Sequence, residues 1–255
     1  MKSDSGDLSA DDGLLNPPAY GDVVEAYGLD LLKGGADVSF SVGGNLGMHD
    51  GDIKLGDDRF NALFRLVQRW RFNAPTLGVL FRFVSSAADR RERLREQQND
   101  VAVLRARREV SIDVFHSLTD EIGANELGRD AYAGAIVVVL HAALRRCWND
   151  LGKPSTWSAA GPLVVGRSVG DVLEAAAANF RHADEWSRTE PPTPQQMKAV
   201  PIIADALGIA IAPDGAHHPF RSNVCPDVVE ALAGDDYEEL NRKFFAFAYA
   251  MVQST

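Results

Sequence analysis

Asn179-Phe180-Arg181-His182-Ala183-Asp184-Glu185-Trp186 is the densest polar constellation in this chain of 255 residues. An imidazole beside carboxylates can do general acid–base work, because a histidine takes and returns a proton near neutral pH. A guanidinium next to it can hold a phosphate or stabilise negative charge that develops on one. Arg181, His182 and Glu185 are therefore the candidate catalytic residues, and Asn179 and Trp186 the candidate binding residues. The same types also fit a purely architectural role. Asn179 and His182 can hydrogen-bond a neighbouring loop, Arg181 can pair with Glu185, and Trp186 can fill a core. Basic residues at the end of a helix suit its dipole as well.

The element resembles the Asn-aromatic-Arg/Lys-His-x-x-Glu-Trp stretch of bacterial helical proteins related to the HEPN superfamily, over about residues 110–190. That resemblance implies a four-helix-type bundle and an RNase of the toxin–antitoxin or antiphage kind. The usual catalytic pattern of the superfamily is an arginine, four to six residues, then a histidine. None of the six histidines (49, 116, 141, 182, 217 and 218) has an arginine at that offset. Arg181 and His182 are adjacent instead. The resemblance thus implies either a rearranged set of Arg181, His182 and Glu185 or a catalytically silent domain.

Other chemistries find less support. His182 and Glu185 would need His141 or His116 to complete a metal site, and no second His-x-x-Glu copy exists, so no metal and no cofactor is expected. His141 lies in an apolar stretch and reads as a core histidine. His217, His218 and Cys225 form a loop cluster without a full ligand set. The glycines of 43–51 match neither a P-loop nor a dinucleotide fingerprint.

The second feature is charge. The chain carries 26 basic and 36 acidic residues, a formal net charge of −10. Between Arg59 and Arg108, however, stand twelve arginines, no lysine and four acids, a local excess of +8 that leaves −18 elsewhere. Arg90, Arg91, Arg95, Arg105 and Arg108 are candidate phosphate contacts, since guanidinium forks bind phosphate oxygens bidentately. They serve equally well as ion-pair partners on a solvated helix, or as a surface for self-association.

The elements that must position these residues are mostly helical. Residues 1–19, rich in Asp, Ser, Gly and Pro, read as a loosely held arm. Residues 20–57 read as a small appendage: a helix from Tyr20 to Lys33, then a β-hairpin or arch in which Val38, Phe40 and Val42 alternate with polar residues. From 58 to 255 the apolar spacing is helical. Pro75 is expected to open a new segment, Val101–Leu118 to form another helix, and 125–150 to form a central one. Ser168 caps a helix that should run to about Trp186. Thr193-Pro194-Gln195-Gln196 caps the next, which ends near Gly208, and two short helices follow at 226–233 and 236–252. On a continuous helix, Asn179, His182 and Trp186 would share one side.

The fold class expected is mainly α, a helical bundle with a small N-terminal β-hairpin or arch. Two cysteines, Cys147 and Cys225, exclude a disulfide scaffold and suit a reducing compartment. No secretory signal is visible, and the apolar run Ala131–Leu144 is short for a bilayer. A cytoplasmic protein with no membrane partner is expected. Two functions fit: a HEPN-like protein that binds or cleaves RNA or a nucleotide as a defence or toxin effector, and a non-catalytic helical interaction protein that self-associates or binds a protein partner.

Overall fold

A computed structural model of the chain describes residues 16–49, 51–188, 193–211 and 219–255. Most of the reading for 1–19, and the pair His217–His218, lie outside the described residues. The rest is mainly α, with two small antiparallel hairpins.

Asp57 starts the longest element, its carboxylate accepting from the Phe60 amide at 2.8 Å. The helix that follows, α2 (Asp58–Ala106), runs 49 residues without interruption. The break expected at Pro75 does not occur. Proline costs one intrahelical bond and crowds the preceding turn, but Trp70, Ala74 and Leu77 around it are buried in the core. The Tyr237 hydroxyl also donates to the Ala74 carbonyl at 3.1 Å. Tertiary packing outweighs the local preference. The chain reverses instead at 107–111, inside the helix expected at 101–118. Arg108 takes a left-handed conformation there (φ 63°) and Ser111 caps α3 (Ile112–Asp150). The two helices form an antiparallel hairpin in which Arg69 meets Asp150, Phe83 meets Tyr132 and Arg90 meets Glu121.

Among the described residues, α3 alone is long and apolar enough to cross a membrane by length and composition. Half of that apolar stretch is buried inside the protein, which accounts for its composition. The lower half of the hairpin is covered by α4 (Val169–Arg181), α7 (Cys225–Ala233) and α8 (Tyr237–Gln253), with α6 (Pro194–Leu207) behind α4. Phe244, Phe245, Phe247, Met251 and Val252 of α8 are fully buried. Phe245 meets Trp70 edge-on at 5.0 Å, and Phe247 meets Trp157 at 5.3 Å. The upper half is a bare arm. From residue 88 to the end of α2 only Leu94 is buried, and α3 has no buried residue before Arg129.

The N-terminal appendage is shorter in helix than expected. α1 (Tyr20–Ala26) stops where Gly28 turns left-handed, and Asp30–Leu32 make a single 3₁₀ turn. The β-arch is present: β1 (Met48–His49) pairs with β2 (Asp52–Ile53), with isolated bridges Val38–Leu55 and Phe40–Leu46. A second hairpin, β3 (Leu163–Val164) with β4 (Arg167–Ser168), leads into α4. The capping box of Thr193 and Gln196 forms as expected, and α6 ends on left-handed Gly208.

Candidate functional site

The Asn179–Trp186 element does not lie on one helix. α4 ends at Arg181, His182 is non-helical (φ −119°, ψ 28°), and α5 (Ala183–Arg188) starts on a new axis. The His182 carbonyl accepts from the Glu185 and Trp186 amides, which begins that turn. Asn179, His182 and Trp186 therefore do not share a face. Trp186 is 2% exposed and Asn179 is fully buried, while His182 is partly exposed and Glu185 exposed.

Each residue has a specific neighbour. Asn179 clamps the segment leading into α7: its Oδ1 accepts from the Val224 amide at 2.9 Å and its Nδ2 donates to the Ser222 carbonyl at 3.3 Å. A buried amide and carbonyl are thereby satisfied, an architectural task. Ala175, Ala176 and Ala177 are buried, and the Cys225 thiol meets the Ala176 carbonyl at 3.5 Å. On the facing helix, Phe180 lies over Gly134, where an added Cβ would come within 2.1 Å of the ring. That contact brings α4 onto α3.

Arg181 does not pair with Glu185. Its Nη2 reaches His141 Nδ1 on α3 at 3.0 Å, and His182 Nδ1 meets Glu185 Oε1 at 3.2 Å. His141 is 8% exposed, and its Nε2 is buried without a hydrogen-bond partner among the described residues. Burial, then the positive charges of Arg181 and Arg145, push its pKa down to about 4. His141 is thus neutral at pH 7, accepting at Nδ1 and carrying its proton at Nε2. Because its unfolded value is near 6.5, the unfolded chain binds the extra proton first. Stability is complete above about pH 6.5 and falls as pH drops toward about 4. Urea midpoints across that range should decline more steeply in wild type than in His141→Gln. Equal slopes would show that His141 does not carry the effect.

The arginine block lies on α2 and the turn beyond it, and it divides into different environments. Arg90 pairs with Glu121, and Arg95 with Glu126 at 3.0 Å. The Arg105 guanidinium lies 5.6 Å from the Phe115 ring, Arg108 sits in the hairpin turn, and Arg91 lines a groove with buried Arg129. Residues 112–128 of α3 hold four acids and no arginine or lysine, so the facing helix offsets part of the block's charge. The candidate phosphate contacts of the block, from Arg90 to Arg108, are also remote from Arg181. Arg90 is level with Glu121, twenty residues from His141 along α3, or about 30 Å at the helical rise. The two features the sequence singled out are not one site.

A further polar cluster has no sequence signature. Asp150, at the end of α3 and 7% exposed, accepts from His49 Nε2 and from Arg69 Nη1, both at 2.8 Å. Arg65 donates to the His49 carbonyl at 2.9 Å. The cluster ties the β-arch to the base of the hairpin. The nearest thiol, Cys147, is fully buried and its pKa is pushed up to about 12 by desolvation and then by Asp150, so it stays protonated. Hence His49 and Asp150 have no activated nucleophile in Cys147. No group of three or more His, Cys, Asp or Glu placed to hold a metal occurs among the described residues. Comparison of the chain with protein-family models, characterised proteins and solved structures returns no match.

Proposed function

We propose that this is a non-catalytic helical interaction protein whose α2–α3 hairpin is the docking element and whose remaining helices hold it. The observation that carries this is the bare arm above residue 88. Two helices extend there with Leu94 alone buried on α2, held across by Arg90–Glu121 and Arg95–Glu126. Exposed ion pairs of that kind contribute well under ~1 kcal/mol each. Val103, Ile112 and Val114 near the turn stand exposed, a surface suited to a protein partner. Asn179 and Trp186 are architectural in this reading.

A second reading keeps the HEPN-like resemblance, with RNA or a nucleotide as ligand. It is favoured by Arg181 on neutral His141, with Arg145 close by, as a cationic surround for a phosphate. The buried His141 Nε2 argues against direct contact with a substrate. The deciding experiment measures RNA cleavage and growth arrest by wild type, Arg181→Ala and His182→Ala. The interaction reading expects no cleavage and identical growth for all three. Cleavage by wild type that is lost in Arg181→Ala, with its melting curve intact, would overturn it and support the second.

A further inference from the structure

A groove of about 540 Å³ lies where the bare arm leaves the body, between α2 and the end of α7. Phe81 and Val229 give it apolar walls, and five acids line it: Asp89, Glu92, Glu96, Glu230 and Asp235. Three arginines share it, but two are already engaged. Arg95 pairs with Glu126, and buried Arg129 lies near Asp227 and Glu230. Asp89, Glu92, Glu96 and Asp235 are exposed and make no ion pair among the described residues, which leaves Arg91 as the one free cation against them. An acidic groove with apolar walls fits a basic segment that carries apolar side chains.

The tip of the same arm is such a segment. Residues 101–112 hold Arg105, Arg107 and Arg108 against Glu109 alone, and all three arginines are exposed without an ion pair among the described residues. Val103, at 53%, and Ile112, at 39%, stand exposed beside them. The groove face of α2 runs through Glu92, Glu96 and Asn99, and three- and four-residue steps carry it on to Val103 and Ala106 at the tip. One face of one arm is therefore acidic at its root and basic and apolar at its tip. Two such faces match when they run antiparallel. The midpoint between Asp89 and Arg107 is residue 98, and Gln97-Gln98-Asn99 stand there without charge, where each residue would meet its own copy. Asp89 to Arg107 is about 27 Å of helix, and a two-helix hairpin is about 20 Å wide, so the paired arms would cover just over about 1,000 Å² in total, enough for a specific dimer. Pairing also supplies the missing core. Val101, Leu104, Phe115, Leu118 and Ile122 of the arm are only half-buried, and two further helices would complete a four-helix arrangement around them.

We propose that the partner of the arm is a second copy of this chain: two arms lie antiparallel about a two-fold axis near Gln98, and the tip of each enters the groove of the other. Arg105 and Arg107 of one copy then face Glu92 and Asp89 of the other, and Val103 adds its apolar side chain to the contact. This inference rests on the reading of the arm as a docking element and names its occupant.

Sedimentation equilibrium of the full chain should show a monomer–dimer equilibrium that high salt weakens, because the attraction is between exposed charges. Arg105→Glu with Arg107→Glu, and separately Asp89→Arg with Glu92→Arg, should each weaken the dimer by about tenfold or more. All four positions are exposed, and circular-dichroism melts check that each variant folds. The decisive measurement mixes the two variants. Each alone sets like charge against like at both ends, whereas the mixed pair restores opposite charges at both, so the heterodimer should form where neither homodimer does. A monomer at every concentration overturns the proposal. So does a dimer indifferent to both charge reversals, or a mixture that stays monomeric. A monomeric wild type that neither cleaves RNA nor arrests growth would leave the arm as a docking element for a different protein, so the two proposals fail separately.

Discussion

Asp150→Ala is expected to lower the stability of the protein by about 2–3 kcal/mol, among the largest effects of any single polar substitution in the chain. Its carboxylate is 3% exposed and receives hydrogen bonds from both His49 and Arg69. Removing it leaves two donors facing a site that water enters poorly. A fully buried pair broken this way costs about 3–5 kcal/mol. Here the partners keep 25% and 21% of their side-chain exposure, so part of that cost is recovered by solvation. Asp150→Asn, which keeps an acceptor at similar volume, should lose roughly half as much. Urea unfolding reads the effect as a lower midpoint at unchanged slope. A loss under about 0.5 kcal/mol would mean that the cluster is solvated in solution. The appendage should respond with the cluster, since its β-arch is tied to the hairpin base by His49 and by the Arg65 bond to the His49 carbonyl.

Gly134→Ala should destabilise by about 1–2 kcal/mol, although the same change in an open helix stabilises by about 1 kcal/mol. The reversal of sign is the diagnostic. The new methyl group would stand 2.1–2.4 Å from three ring atoms of Phe180, so the ring must leave or α4 must retreat from α3. Retreat would also part Arg181 from His141. In a Phe180→Ala background the ring is gone, and Gly134→Ala should become stabilising. Additive behaviour of the two substitutions would show that the contact does not set the distance between the helices.

The mainly α class, the β-arch, the Thr193 cap and the stop at Gly208 were legible because each is encoded in residues close in sequence. The long helices were not. Pro75 reads as a start signal, and only the burial of Trp70, Ala74 and Leu77 against distant α8 lets α2 pass through it. The turn at 107–111 contains no glycine or proline, and Arg108 adopts the left-handed conformation that glycine usually supplies. Asn179 and Trp186 were visible as unusual residues, but their burial depends on the loop at 222–224 and on the helix break at His182. The partner of Arg181 is forty residues away on another helix, and Asp150 is 101 residues from His49. Such pairings depend on tertiary geometry that local spacing does not carry.

The uninterrupted length of α2 has a mechanical consequence. Forty-nine residues span about 73 Å, whereas a compact chain of this size is only about 45–50 Å across. The thirty-one residues beyond Pro75 form a lever of about 46 Å, so a 5° flexure at the proline would carry the tip about 4 Å. Small rearrangements in the cleft that Pro75 shares with Tyr237, whose hydroxyl holds the Ala74 carbonyl, are thereby amplified at the far end.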